Sequence, residues 1–122
     1  MELKSYFETT NGTGILSTAD SKGNVDAAIY SRPHFLENKI AFIMRDRLTH
    51  KNLESNPHAV YLFIEDGPGY KGKRIYLTKV KEEKNSEKIA SLRRREKDSN
   101  PDEDKFLVFF EFNRERPLVG DY

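Results

Sequence analysis

The chain has 122 residues, 36% hydrophobic and 34% charged, with a net charge of +1 and no cysteine. That length suits one domain around one core. The balanced charge argues against a general nucleic-acid binder, whose footprint is strongly basic. Without cysteine, disulfides, thiolate metal sites, iron–sulfur clusters and a cysteine nucleophile are excluded.

The N-terminal stretch MELKSYFETTNGTG lacks the apolar centre of a signal peptide. No apolar run approaches the roughly 20 residues that span a bilayer, so a cytoplasmic protein without a membrane partner is expected. The same stretch predicts a short helix with Leu3 and Phe7 on one face, ending at Asn11-Gly12. GILSTAD (14–20) reads as a strand, SKGN (21–24) as a tight turn and VDAAIYS (25–31) as a second strand, stopped near Arg32-Pro33 because proline cannot continue a ladder. LENK is another polar turn and KIAFIM (39–44) a third strand, which together predict an antiparallel meander.

From residue 49 the alternation stops. Thr49 is a good N-cap, and Pro57 ends any helix after about two turns. HAVYLFIE (58–65) is apolar on both faces and therefore central. DGPGYKGK is a loop, RIYLTKVKE (74–82) a fifth strand, and NSEKIASLRRREKD a helix capped by Ser86. SNPDED reads as an acidic turn before the last strand, KFLVFFEFN (105–113).

Six strands with two or three helices and short connections predict an α+β, mainly β, domain over residues 1–122: a six-stranded antiparallel barrel with peripheral helices. In the last strand Phe106, Val108, Phe110 and Phe112 face one way, and Leu107 and Phe109 the other. A barrel strand has one inner face, so either the helix after residue 86 or a second subunit covers the outer one.

The stretch RDRLTHKNLESNPHAVYLFIE (45–65) gathers Arg45, Arg47, His50 and Lys51 around Thr49. The first N–H groups of a helix lack partners and carry partial positive charge, so a phosphate or sulfate fits there, aided by nearby arginine or lysine. Cations in a first turn oppose the helix dipole, a broken rule of the kind that marks sites. The plainer reading is an N-cap with solvated basic side chains. Arg32 either joins this corner or is an exposed strand-end arginine. Ala27 and Ala28 either admit a flat ligand or pack beneath a helix.

GPGYKGKR lacks the Walker spacing and reads as a hairpin loop, though Tyr70, Lys71 and Lys73 can flank a ligand. His34, His50 and His58 match no zinc pattern, so no metal is expected. The run Arg93 to Arg95 suits a helix end as a solvated face.

The whole chain resembles the pyridoxamine-phosphate-oxidase-like family of FMN-binding split barrels. The likeness runs from GILSTADSKGNVDAAIYSRPHF through KIAFIMRDRLTHKNLESNPHAVYLF to GKRIYLTKVKEE and FLVFFEFN, and THKNLESNP is its most specific part. The resemblance implies a six-stranded split barrel and a homodimer with FMN at the interface. It places Thr49 on phosphate oxygen, with Arg45, Arg47 and Asn52 beside it and His50 and Lys51 as weaker choices. It lays the flavin ring along the second and third strands, against Ala28, Ile29, Tyr30 and Ser31 and near Met44, with Arg32 by the ribityl chain or phosphate.

The chain departs from the family's vitamin B6 oxidases, whose distinctive C-terminal segment has no counterpart at RPLVGDY. The expectation is therefore a short FMN-binding redox protein or small oxidoreductase, with the electron partner and any catalytic residue unassigned. The competing expectation is a binding module on the same barrel, holding haem through His34 or His58, or a deazaflavin, or acting as an interaction scaffold.

Overall fold

A computed structural model describes residues 2–92 and 103–120. The element order is α1 (Glu2–Thr9), β1 (Gly12–Ala19), β2 (Val25–Ile29), β3 (His34–Leu36), β4 (Lys39–Arg45), α2 (Leu48–Ser55), β5 (His58–Glu65), β6 (Gly72–Lys84), α3 (Lys88–Leu92) and β7 (Lys105–Pro117). Among the described residues the strands form one antiparallel sheet of seven, in the order β2-β1-β5-β6-β7-β4-β3, rather than the six expected. The added strand, β3, is three residues long and follows directly on Pro33. Its two-residue turn holds Glu37 and Asn38 at φ of 53° and 60°, the mirror-image turn that matches strand twist.

The expected meander holds for β1 and β2, which pair from Ile15↔Ile29 to Ala19↔Val25. It fails at β4, whose neighbours are β3 and β7. Pro33 interrupts the chain between β2 and β4, and the apolar edge of β4 is taken by the last strand, from Ile40↔Phe110 to Arg45↔Lys105.

The sheet rolls around one core. Leu16, Phe42, Met44, Tyr61, Phe63, Leu77, Val108 and Phe110 meet there. Ring contacts between Phe42 and Tyr61 at 5.0 Å and between Tyr30 and Phe42 at 5.8 Å join elements that are not ladder neighbours. The face of α1 predicted from the sequence closes one end, with Phe7 packed edge-on to Phe63 at 5.1 Å. β5 is central, as expected, with β1 and β6 as its neighbours. Phe112, expected on the inner face, is 41% exposed and lies beyond the buried run Phe106 to Phe110.

The outer face of β7 is covered from within the chain. Leu107 and Phe109 are fully buried with Ala41 against Ile89 of α3, and Leu92 packs at the margin. The predicted cap of this helix is in place, since the Ser86 hydroxyl accepts the Lys88 N–H at 3.3 Å. The stretch expected to continue the helix, including Arg93 to Arg95, lies outside the described residues. No helix among the described residues is long and apolar enough to cross a membrane.

Candidate functional site

The corner where β4 ends and α2 begins gathers most of the basic residues singled out from the sequence. Helix α2 starts two residues earlier than expected: Arg47, in extended conformation, is the N-cap, with no side-chain capping bond. The reason lies in Thr49, whose side chain is needed elsewhere. Thr49 is buried, and its hydroxyl is hydrogen-bonded to the Tyr30 hydroxyl. Burial raises the Tyr30 pKa against that bond, which works to lower it. The bond Lys51 N–H to Arg47 C=O, 3.0 Å, opens the helix, so the N–H groups of Leu48, Thr49 and His50 lie ahead of it.

Tyr30 is held from two sides. Its N–H donates to the Gly14 carbonyl at 3.0 Å, and the Tyr61 hydroxyl donates to its carbonyl at 3.0 Å. A Cβ at Gly14 would lie 1.8 Å from the Tyr61 oxygen, so only glycine leaves room for this lock.

Beneath α2 the polar side chains are buried and paired. Asn52 Nδ2 donates to Thr18 Oγ1 at 3.1 Å. His50 is 3% exposed and stacks on Phe106 with ring centroids 3.8 Å apart. Its Nε2 lies 2.9 Å from Glu82, which also accepts from Lys79 at 2.7 Å. Burial pushes the Glu82 pKa up, but the bonds from Lys79 and His50 outweigh it and leave the carboxyl below its ordinary value. His50 therefore points inward and ties the first turn of α2 to β6, while Lys51 is exposed.

Arg45 and Arg47 converge on one carboxylate. Glu103 Oε1 is paired with Arg47, and its Oε2 lies 3.5 Å from Arg45 Nη1. Sequence reading missed Glu103, which sits 56 positions from Arg47 in what reads as an acidic turn. No local signal could have found it, because Lys105 faces Arg45 only through the β4–β7 pairing. Like charges facing each other across a sheet destabilise it and call for an anion.

The other expected residues are dispersed. Arg32 donates to the Phe7 carbonyl of α1 at 2.8 Å and lines a cleft of about 400 Å³ with Lys4, Phe7, His34 and Phe35. Met44 is buried in the core at 1% exposure. Ala28 is half-buried on the inner side of β2, while Ile29 is 71% exposed on the outer side and Ser31 is exposed. β2 is an edge strand, and among the described residues one side of its backbone faces no other strand.

No family model matches the sequence, and no curated protein matches it. Solved structures do. An F420 reductase aligns at TM-score 0.73 and 12% identity, over 92% of this chain and 94% of that one. An FMN-binding protein from Syntrophomonas wolfei subsp. wolfei aligns at 0.68 and 17%, over 97% and 84%. HutZ, a haem storage protein from Vibrio cholerae, aligns at 0.62 and 19%, over 95% and 92%. Further matches include proteins proposed to be pyridoxamine 5′-phosphate oxidases. The chain has the pyridoxamine-phosphate-oxidase-like split-barrel fold. At these identities the likeness concerns the fold alone, within which these structures carry differing cofactor names.

Proposed function

We propose that the protein binds FMN as a homodimer and serves as a redox protein or small oxidoreductase. The observation that carries this reading is the carboxylate of Glu103 held by Arg45 and Arg47 at the N-cap of α2. A corner that takes one anion from its own chain has the donors for a phosphate. Arg45, Arg47 and the first N–H groups of α2 would hold the phosphate, with Lys51 at the rim. Thr49 and Asn52 act one step back, fixing α2 to Tyr30 and Thr18. The outer edge of the chain at Ile29 and Ser31, where Ala28 and Tyr30 turn their backbone groups inward, would offer backbone donors and acceptors to a flat polar ring. Bound FMN supplies hydride and single-electron chemistry, and the protein supplies position and charge.

The dimer reading rests on a second apolar surface. Along β2, β1 and β5 the outward residues Val25, Ile29, Ile15, Leu62 and Val60 share one face by register. Val25 is 82% and Ile29 71% exposed. Unlike the outer face of β7, this one has no helix over it among the described residues. A second copy of the chain is the proposed cover. Ile29→Lys should convert a dimer into a monomer in sedimentation velocity, and an unchanged dimer would move the interface elsewhere.

The direct test is the absorbance spectrum of the purified protein with and without added FMN, followed by acid release of the chromophore. Flavin bands, with FMN in the supernatant, are expected. The Thr49→Ala/Arg47→Ala double variant should lose them, and wild-type FMN affinity in that variant would remove the phosphate corner from the reading.

A haem module is the second reading, favoured by the cleft in which His34 sits with Lys4 and Arg32, a ring nitrogen source beside two cations for propionates. It predicts a Soret band that disappears in His34→Ala.

A further inference from the structure

The chain fills its own basic corner. Glu103 is 15% exposed at the side chain, against 39% for Arg45 and 61% for Arg47. It is therefore the innermost of the three, with the guanidinium groups spread towards solvent. Lys105 adds a third cation, placed opposite Arg45 by the β4–β7 register, and its ammonium reaches the Glu103 carbonyl at 3.4 Å. Each guanidinium has five N–H donors, and the carboxylate engages each through its Nη1.

We propose that Glu103 is a built-in competitor for these arginines, so that an incoming phosphate ester binds by exchange with the carboxylate. This deepens the reading above and rests on its placing of phosphate at this corner. The charge count gives the reason. Glu103 cancels one of the positive charges gathered at this corner, so a monoanion gains less by approaching. A phosphate monoester brings two negative charges and three terminal oxygens, and offers each arginine a forked partner. The exchange therefore favours dianionic phosphate esters over carboxylates and simple monoanions, and it lowers affinity for all of them. Glu103 acts as a specificity-determining residue, by occupying the donors that the ligand needs.

The experiment compares wild type, Glu103→Gln and Glu103→Gln/Arg47→Gln, each checked for folding by thermal melt. Inorganic phosphate is titrated by calorimetry, and FMN by visible absorbance. Glu103→Gln should bind phosphate about tenfold more tightly, with a steeper salt dependence, since one competing charge contact has been removed. The gain should vanish when Arg47 is also replaced. Glu103→Asp, which withdraws the carboxylate by one methylene, should gain in the same direction by less, and it serves if the glutamine variant does not fold. Phosphate affinity that stays unchanged or weakens in Glu103→Gln overturns the proposal, because the carboxylate would then be aligning the arginines or standing by. A gain for phosphate in a protein that takes no FMN keeps Glu103 as competitor and removes the flavin. Tight FMN binding that is equal in wild type and Glu103→Gln keeps the flavin and removes the competitor.

Discussion

Two of the short helices on this sheet, α3 and α2, are seated by opposite means. α3 rests on Leu107, Phe109 and Ala41 through Ile89 and Leu92. Its rim is a set of exposed ion pairs, with Glu37 and Glu83 on Lys88 and Glu37 on Lys81. α2 is seated mainly by polar groups. Thr49, His50 and Asn52 are all buried and reach Tyr30, Glu82 and Thr18. Apolar contact gives stability without direction, whereas hydrogen bonds fix an element in one pose at the risk of unpaired buried groups. The helix that holds the anion corner is the one fixed in pose.

The largest expected effect breaks the apolar seat. Phe109→Ala should cost about 3–5 kcal/mol in urea unfolding, since it empties a fully buried ring position. Phosphate or FMN affinity of the folded protein should not change, because Phe109 faces α3 and not the corner. A parallel loss of affinity would mean that the two seats are mechanically one. Asn52→Ala comes next. It leaves the buried Thr18 hydroxyl without its amide donor, at a cost of about 1–3 kcal/mol. Here affinity should fall together with stability, since α2 loses one of its fixings. If affinity held while stability fell, the polar seat would be structural alone.

Much of this is legible in the chain. Alternation and turn residues locate β1, β2, β4, β5 and β7, and Leu107 and Phe109 announce a covered outer face. β3 is hidden because three residues carry no period and Pro33 reads as a stop. The neighbour of β4 is hidden because pairing with β7 joins segments far apart in the chain, as at Ile40↔Phe110, and local pattern says nothing of partners at that range. At the corner the sequence reveals the excess of cations but not its internal answer, Glu103. Thr49 reads as a cap because hydroxyls prefer that position. Its hydroxyl is instead taken by Tyr30, from a strand that only the fold brings near. Arg32 stands close in sequence to the expected flavin strand, yet its guanidinium is bonded to the Phe7 carbonyl, 25 positions away.

The smallest expected effect sharpens the comparison at its polar end. Glu82 accepts from both Lys79 and His50, and these bonds hold its carboxyl below the ordinary value of 4.5 despite the opposing effect of burial. A carboxyl whose folded pKa is depressed adds stability above its unfolded pKa and loses it as the pH falls through the folded value. Wild type should therefore be more stable than Glu82→Gln at pH 7 by no more than about 1 kcal/mol, given the partial exposure of the pair. The difference should shrink as the pH falls below about 4.5, where Glu82 of the unfolded chain takes up its proton, and vanish as the pH passes the lower folded value. Replacing Glu83, which belongs to the exposed rim of α3, should give a still smaller difference, because solvent and salt screen that pair. Urea unfolding of both variants between pH 3 and 7 measures this, and a larger effect at Glu83 than at Glu82 would reverse the ranking of the two seats.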